Sequence, residues 1–138
     1  MDVGPVEVIV LQFPGQQADP AVIGVLADVV ARGYAAVLDL VFVARTLDGS
    51  LRVTDAGDNL DGVGLGALQP GAHPLISRSD LDLIRDSLRP GTSAALIAYE
   101  HRWPQRLAAA ASDAGGQLAL HAQIPRDAVA VAVAPAVS

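Results

Sequence analysis

Runs of β-branched and apolar residues recur along the chain and predict its strands. The clearest run is 5–13 (PVEVIVLQF), which a Pro-Gly pair ends. A second run, 36–46 (AVLDLVFVART), is followed by the hairpin signal Asp-Gly and a short returning run, LRVTD. Residues 93–101 (SAALIAYEH) and 117–123 (QLALHAQ) complete the set. The first two runs are apolar on both faces, so both faces of the sheet should be covered.

Apolar positions at helical spacing predict three helices between these strands. The first helix, 19–32, begins with an Asp-Pro pair typical of a helix start and is followed by glycine. Ser79, with Asp82 three residues later, predicts a capped helix at 79–89. The third helix, 103–114, begins at a Trp-Pro pair and stops before two glycines.

Residues 55–74 change character, because glycine and aspartate dominate there. This composition predicts a surface loop that few side chains anchor, and we expect it to be the most mobile internal stretch. With the following helix it forms an insert, 55–90, within a single domain spanning 1–138. The C-terminal tail, 125–138, combines a helix-like start with the Ala/Val alternation of a strand, and we favour a short helix.

The elements follow one another as a βαβ unit, an insert and a second βαβ unit. Two such halves predict an α+β fold, a ferredoxin-like sandwich with an inserted loop and helix. Helices 19–32 and 103–114 are expected on one face of a sheet that contains antiparallel pairs. The other face also needs a cover, which the 79–89 helix, the tail or another copy of the chain would supply.

Side-chain alternation assigns the apolar residues of two strands to faces. We expect Val6, Val8 and Val10 to oppose Ile9, Leu11 and Phe13, and Val37, Val41 and Val43 to oppose Leu38, Leu40 and Phe42. Two amphipathic helices cannot cover so many apolar side chains. The sequence therefore predicts self-association, most simply as a two-fold dimer whose interface includes some of these valines or their opposite-face neighbours.

Composition narrows the possible functions. The 138 residues are 51% hydrophobic and 17% charged, which is typical of a folded domain. The chain has no cysteine, so disulfides, zinc–thiolate sites, iron–sulfur clusters and cysteine nucleophiles are excluded. All nine basic residues are arginine, which excludes a lysine Schiff base and a P-loop lysine. A net charge of −6 argues against binding to nucleic acid.

No segment has the pattern of a targeting signal or a membrane span. The N-terminal apolar run, 6–11, lacks a preceding basic region and is too short for either. The longest apolar stretch elsewhere, 35–44, is interrupted by Asp39. We therefore expect a cytoplasmic protein with no membrane span.

Four segments carry a resemblance to a known family: GPVEVIVLQFPG (4–15), LDLVFVARTLDGSL (38–51), ISRSDLDLIRDSLRPGTSAALIAYEHRW (76–103) and AGGQLALHAQIP (114–125). They resemble a family of small actinobacterial proteins known only as a domain of unknown function. The chain is also distantly similar to a wider uncharacterised bacterial family, which carries a Gly/Ala-rich apolar insert between two βαβ halves. The corresponding insert here, GVGLGALQPGA (62–72), is too short to span a membrane. The resemblance implies the fold and brings no catalytic residues.

The densest group of chemistry-bearing residues lies where the 93–101 strand leads into a helix, a place where ligands often bind. It consists of Tyr99, His101, Arg102 and Trp103. His101 would act as a general base and Arg102 would hold an anion. Alternation places Tyr99 and His101 on one sheet face and Glu100 on the other. In the structural alternative, Trp103 packs at the corner, Glu100 accepts from helix-end amides, and Arg102 is solvated.

Metal chemistry has little support in the residue spacing. His101 and His121 with Glu100 or Asp39 would form a two-His, one-carboxylate site only if their strands were neighbours. In the ferredoxin-like order the first strand separates them. If Asp39 is buried, it needs a partner, either Arg45 or a backbone amide. In the alternative interpretation, Asp39 lies at a subunit edge. We predict no metal site and no cofactor.

The insert contains residues that resemble ligand motifs only in composition. The oxygen-bearing residues are Asp55, Asp58, Asn59 and Asp61, and the glycines are Gly62, Gly64 and Gly66. The acidic group lacks the spacing of an EF-hand, and the glycines follow no buried strand. We interpret the segment as a solvated, turn-rich loop.

Three classes of function remain. We predict a non-enzymatic, self-associating structural or regulatory module whose partner is another copy of itself. The first alternative is a ligand-binding or sensory module with a pocket near Tyr99, His101 and Trp103. The second is a small enzyme of the dimeric α+β barrel kind that uses His101 or His121 with Arg102. A pocket lined by these residues would favour the alternatives, and a sheet face filled by a second subunit would favour self-association.

Overall fold

The computed structural model describes residues 5–71, 73–117, 119 and 131. Its strands and helices are β1 (Val6–Pro14), α1 (Pro20–Ala31), β2 (Ala35–Arg45), β3 (Leu51–Asp55), α2 (Arg78–Ser87), β4 (Thr92–His101) and α3 (Trp103–Asp113). Two short 3₁₀ turns, Asp61–Val63 and Gly66–Leu68, lie in the insert. The chain divides into two compact units after Gln105, so most of α3 belongs to the second unit.

In the described part of the chain, four strands form one antiparallel sheet in the order β1-β4-β2-β3. β1 and β2 are therefore parallel to each other, with α1 as their connection and β4 inserted between them, which makes a split βαβ unit. β3 returns from β2 in the predicted hairpin. The strands predicted at 5–13, 36–46 and 93–101 are confirmed to within one residue. The strand predicted at 117–123, on which the ferredoxin-like sandwich depends, lies outside the described residues except for positions 117 and 119, and so does nearly all of the tail.

One face of the sheet is covered by α1 and the insert. This core contains Phe13, Leu40, Phe42, Ile97 and, from α1, Ile23. Three leucines of the insert join it: Leu60, Leu65 and Leu68 are 8%, 0% and 1% exposed. The expectation that few side chains anchor the insert is therefore wrong. Its 3₁₀ turns direct the leucines inward while the glycines and aspartates form the turns between them.

The opposite face is covered by α2 over the β2 and β3 side of the sheet. Its core consists of Val41, Val43, Leu88, Ala94 and Leu96, with Leu51, Ile76, Leu81 and Ile84 packed against it. Leu81, Ile84 and Leu88 of the predicted 79–89 segment are therefore the residues that face the sheet. The sequence left three possible covers for this face, and the structure shows contacts from the 79–89 helix.

The face assignment of β2 is wrong at one position. Val37 packs with Leu40 and Phe42, whereas Val41 lies on the opposite face. The cause is a β-bulge between Val37 and Asp39, which shifts the pairing with β4 by one residue. A bulge inserts an extra residue and so reverses the alternation on one side of it.

Asp39 is 8% exposed and anchors the chain that leads into α2. Its Oδ2 accepts hydrogen bonds from the backbone N–H groups of Leu75 and Ile76 at 3.0 and 2.9 Å, and its Oδ1 accepts from its own neighbour, Leu40, at 2.9 Å. Backbone amides, rather than Arg45, are therefore its partners. Holding Leu75 and Ile76 in this way fixes where the following helix can begin.

The helix α2 starts two residues earlier than predicted. Its N-cap is Ser77, which forms a reciprocal capping box with Asp80. The pair Ser79 and Asp82 has the same spacing but is not used, because the contacts of Asp39 bring the chain to Ser77 first. At the other end, the Arg45 guanidinium donates to the carbonyls of Leu88, Gly49 and Arg85 at 2.8–2.9 Å, and so caps the last turn.

The other two helices agree with the sequence. Asp19 caps α1 by accepting from the N–H of Ala21 at 2.8 Å. Gly33 after it has a φ of +77°, a conformation that glycine adopts without strain. The helix α3 ends before Gly115, as the glycine pair predicts.

Candidate functional site

Three polar side chains meet on the α1 face of the sheet, where β1 begins and β4 ends. The register places Glu7 directly opposite Tyr99. The Tyr99 hydroxyl donates to Glu7 Oε2 at 2.7 Å, and His101 Nε2 lies 3.1 Å from Glu7 Oε1. The two rings meet edge to face with centroids 5.1 Å apart. We call these three residues the Glu7 cluster.

The carboxylate organises the electrostatics of the Glu7 cluster. Hydrogen bonds from Tyr99 and then His101 hold the pKa of Glu7 below its ordinary value of 4.5. Burial, followed by the hydrogen bond to this carboxylate, raises the pKa of Tyr99 to about 12. At neutral pH the cluster therefore contains a charged acceptor and a phenol that remains a donor. The Glu7 side chain is 40% exposed, so solvent reaches it.

Arg102 contacts Glu100, which is not a member of the Glu7 cluster. Its Nε donates to Glu100 Oε1 at 3.0 Å, and Glu100 is 8% exposed on the face opposite Tyr99. The structural alternative expected Glu100 to accept from helix-end amides, and the contact that the structure shows is with the Arg102 guanidinium. The Arg102 side chain is 56% exposed, so it is solvated as that alternative expects, and it also forms this ion pair.

Trp103 is 49% exposed at the start of α3. Its backbone N–H and that of Arg102 both donate to the carbonyl of Tyr34, at 3.2 and 2.7 Å. The chain is therefore fixed here by backbone bonds. Of the four predicted site residues, the structure brings Tyr99 and His101 together and directs Arg102 to Glu100.

Glu7 is the member of the Glu7 cluster that the sequence did not single out as a candidate site residue. It is the single charge in β1 and interrupts a β-branched run, which was the available signal. Its role depends on the register between β1 and β4, two strands separated by most of the chain. Sequence spacing alone gives no access to that register.

No group of three or more histidine or acidic side chains that could hold a metal occurs in the part of the chain that the structure describes. His121 lies outside the described residues.

In the insert, Asp55 accepts from the N–H of Gly57 and Asp58 accepts from the N–H of Asp55, both at 2.9 Å. These carboxylates stabilise their own turn. Gly64 has a φ of +85°, and a Cβ there would lie 3.1 Å from the carbonyl oxygen of Ala18. This glycine is therefore explained by the backbone conformation and the close approach of Ala18.

A second kind of surface surrounds β1. On the α2 side of the sheet, Val6, Val8 and Val10 are 43%, 47% and 41% exposed; we call them the valine face. On the other side, β1 and α1 border a groove of about 470 Å³, the β1–α1 groove. It is lined entirely by apolar residues: Ile9, Leu11, Ala21, Val22, Val25, Leu26 and Val29. Val25 is 69% exposed.

Within the described residues, no helix combines the length and apolar character that crossing a membrane requires. The fold and these surfaces define a small α+β protein with one polar cluster and an apolar strand at the edge of its described sheet. The chain belongs to a family of unknown function, DUF6325, whose model matches residues 2–137. Neither the curated proteins nor the solved structures include a significant match to it.

Proposed function

We propose that this chain is a self-associating module with a structural or regulatory role. The observation that carries the proposal is the exposure of the valine face, whose three residues lie side by side on one strand. The β1–α1 groove extends the apolar surface to the other side of the same strand. Apolar surface on both sides of one strand is typical of a contact surface.

The free energies of burial and of association indicate how much of this surface a dimer must cover. Burying a valine fully is worth about 1.5–3 kcal/mol, so covering the remaining 41–47% of each valine contributes about 1 kcal/mol. Six valines in a dimer then contribute about 6 kcal/mol. Association costs about 4–15 kcal/mol in lost freedom. The free energy gained by burying the valine face alone is therefore close to the cost of association. A stable dimer has to cover the β1–α1 groove as well.

Light scattering at micromolar concentration tests self-association directly. We expect twice the chain mass of 14.1 kDa. Val10→Glu places a charge on the valine face and should reduce the mass to that of one chain. Val53→Glu is the matched control, because Val53 is a 51% exposed valine on β3, and it should leave the dimer intact. A wild-type mass of 14.1 kDa would refute the proposal.

A second candidate is binding of a small ligand at the Glu7 cluster, and the arrangement of the cluster favours it. Glu7 accepts from Tyr99 and contacts His101, yet a carboxylate has about four acceptor positions. An amine or hydroxyl donor could therefore use the exposed part of this carboxylate. The ligand class that fits is a small cation or alcohol rather than the anion expected from Arg102.

An NMR titration with ethanolamine tests this second candidate. Binding should shift the amide signals of Tyr99 and His101, and Glu7→Gln should abolish the shifts. Asp28→Asn is the control, because Asp28 forms an ion pair with Arg32 on exposed α1 surface. Equal shifts in wild type and Glu7→Gln would exclude a site at this carboxylate.

The remaining expectations stay predictions. A ferredoxin-like sandwich would need a strand from 117–123 along the outer edge of β1, so it is the alternative to covering that edge with a second copy. An enzyme of the dimeric α+β barrel kind would use His101, which lies 3.1 Å from a carboxylate, as a general base. A cytoplasmic location is testable by fractionating cells that express the chain.

A further inference from the structure

The strand β1 has an unpaired side among the described strands. In an antiparallel ladder, hydrogen-bonded pairs recur at every second residue. The carbonyl of Pro5 accepts from the N–H of His101 at 2.8 Å, so the odd-numbered residues of β1 bond to β4. The even-numbered residues consequently direct their backbone groups away from β4. These are the three residues of the valine face and Gln12.

The other edge of the described sheet differs. There β3 has only five residues and carries Arg52 and Asp55, and charge and short length are common protections of an edge strand. β1 is nine residues long, and its outward-directed residues carry no charge. Pro14 protects only the last position, where it lacks an N–H.

We infer that β1 pairs with β1 of a second copy, antiparallel, about a two-fold axis at Ile9. This inference rests on the proposed self-association and assigns its geometry. With the axis at Ile9, Val8 pairs with Val10 of the second copy, and Val6 pairs with Gln12. All four outward residues then exchange hydrogen bonds, eight in total. An axis at Val10 would also give eight, but it would pair Val6 with Pro14, which has no N–H, so two of its pairs would keep only one hydrogen bond each.

Charge and area agree with this register. Each Glu7 lies opposite Leu11 of the second copy, so the two carboxylates are about 13 Å apart along the strand, beyond the Debye length of about 10 Å at 0.1 M salt. The paired strip is about 30 Å long, and one layer of side chains on each side makes it about 20 Å deep. This corresponds to about 600 Å² per copy and about 1,200 Å² in total, the lower limit for a stable, specific interface.

The same axis joins the two apolar surfaces to their symmetry copies. The valine faces of the two chains become one continuous patch of six valines. On the other side, the β1–α1 grooves open toward each other, so Val25 of one copy approaches α1 of the second. One operation therefore covers both surfaces that the proposed function requires to be covered.

A single-cysteine experiment tests the axis, because the chain has no cysteine of its own. Residues at a non-hydrogen-bonded antiparallel pair have Cα atoms about 4.5 Å apart, within the range of a disulfide. Ile9→Cys should form a covalent dimer under mild oxidation. Leu47→Cys, 87% exposed and distant from β1 in the sequence, should remain monomeric on denaturing gels. Failure of Ile9→Cys to cross-link above that control would overturn the inference.

A proline substitution tests the edge independently. Val8→Pro removes an outward N–H without touching a bond to β4, and should raise the dimer Kd at least tenfold, since two hydrogen bonds per dimer are lost. Val8→Thr keeps the N–H and should raise the dimer Kd less than Val8→Pro does. If wild type dimerises but neither Ile9→Cys nor Val8→Pro behaves as expected, the edge inference fails and self-association stands. If wild type is monomeric, both fail.

The test also recognises a different occupant of this edge. A strand at 117–123 of the same chain would take the same position in a ferredoxin-like order. Val8→Pro would then destabilise the folded chain in circular dichroism, and Ile9→Cys would give no covalent dimer. That result would overturn pairing with a second copy. Where Val8→Pro fails to fold, cross-linking through Ile9→Cys still decides.

Discussion

Replacing Asp39 by asparagine should loosen the attachment of the insert to the sheet. The carboxylate accepts three backbone N–H groups at 2.9–3.0 Å while only 8% exposed. If the asparagine oxygen keeps Leu75 and Ile76, its NH₂ group must face the N–H of Leu40. Two donors then oppose each other in a buried place, and the other two bonds lose the benefit of a charged acceptor.

The cost follows from these contacts. A hydrogen bond to a charged group contributes about 1.5–3 kcal/mol, and a buried donor without a partner costs about 1–3 kcal/mol. We therefore expect Asp39→Asn to lower the free energy of unfolding by about 2–4 kcal/mol. That is a large part of the 5–15 kcal/mol, roughly, that stabilises a typical domain.

Urea unfolding at neutral pH, followed by circular dichroism, measures this change. Asp28→Asn is the matched control, because Asp28 is 61% exposed and its ion pair with Arg32 is on the surface. We expect the control to change stability by no more than about 0.5 kcal/mol. A loss below about 1 kcal/mol in Asp39→Asn would show that the insert does not depend on this carboxylate.

Three further predictions address the insert, a helix and the polar cluster. Leu65→Ala, at a fully buried position, should cost about 2–5 kcal/mol in urea unfolding, whereas Leu47→Ala, 87% exposed, should cost little. Gly64→Ala should cost about 1–2 kcal/mol in stability because alanine is strained at the positive φ of this position. Gly24→Ala should stabilise the chain by up to about 1 kcal/mol, because a Cβ there meets open space and alanine favours the helix α1. Equal effects of the two substitutions would show that the positive φ of Gly64 carries no cost. Since the folded-state pKa of Glu7 lies below 4.5, its stabilising contribution is complete above pH 4.5 and disappears as the pH falls through the lowered value. Unfolding measured from pH 7 to about 3 should therefore show a larger loss of stability in wild type than in Glu7→Gln.

The sequence determined most of the local structure of this protein. β-branched runs, an Asp-Pro start and glycine stops located β1, α1, β2 and β4 within a residue or so. These signals act between neighbours along the chain, so no knowledge of the fold is needed to interpret them. The family was also identified from the sequence alone, because the family model matches residues 2–137.

The sequence was less informative where two local signals compete. Ser77 and Ser79 are each followed by an aspartate three residues later, and only the contacts of Asp39 select the first pair. In the insert, glycine and aspartate obscured three core leucines, because composition records the turns and not the direction of the side chains between them.

Tertiary structure alone decided the faces and the polar cluster. The bulge beside Asp39 reverses the alternation in β2, and the pairing of β1 with β4 brings Glu7 to Tyr99 and His101. Both depend on register, which is fixed by the packing of strands far apart in sequence. Periodicity shows which residues are apolar, but one inserted residue changes the face on which every following side chain lies.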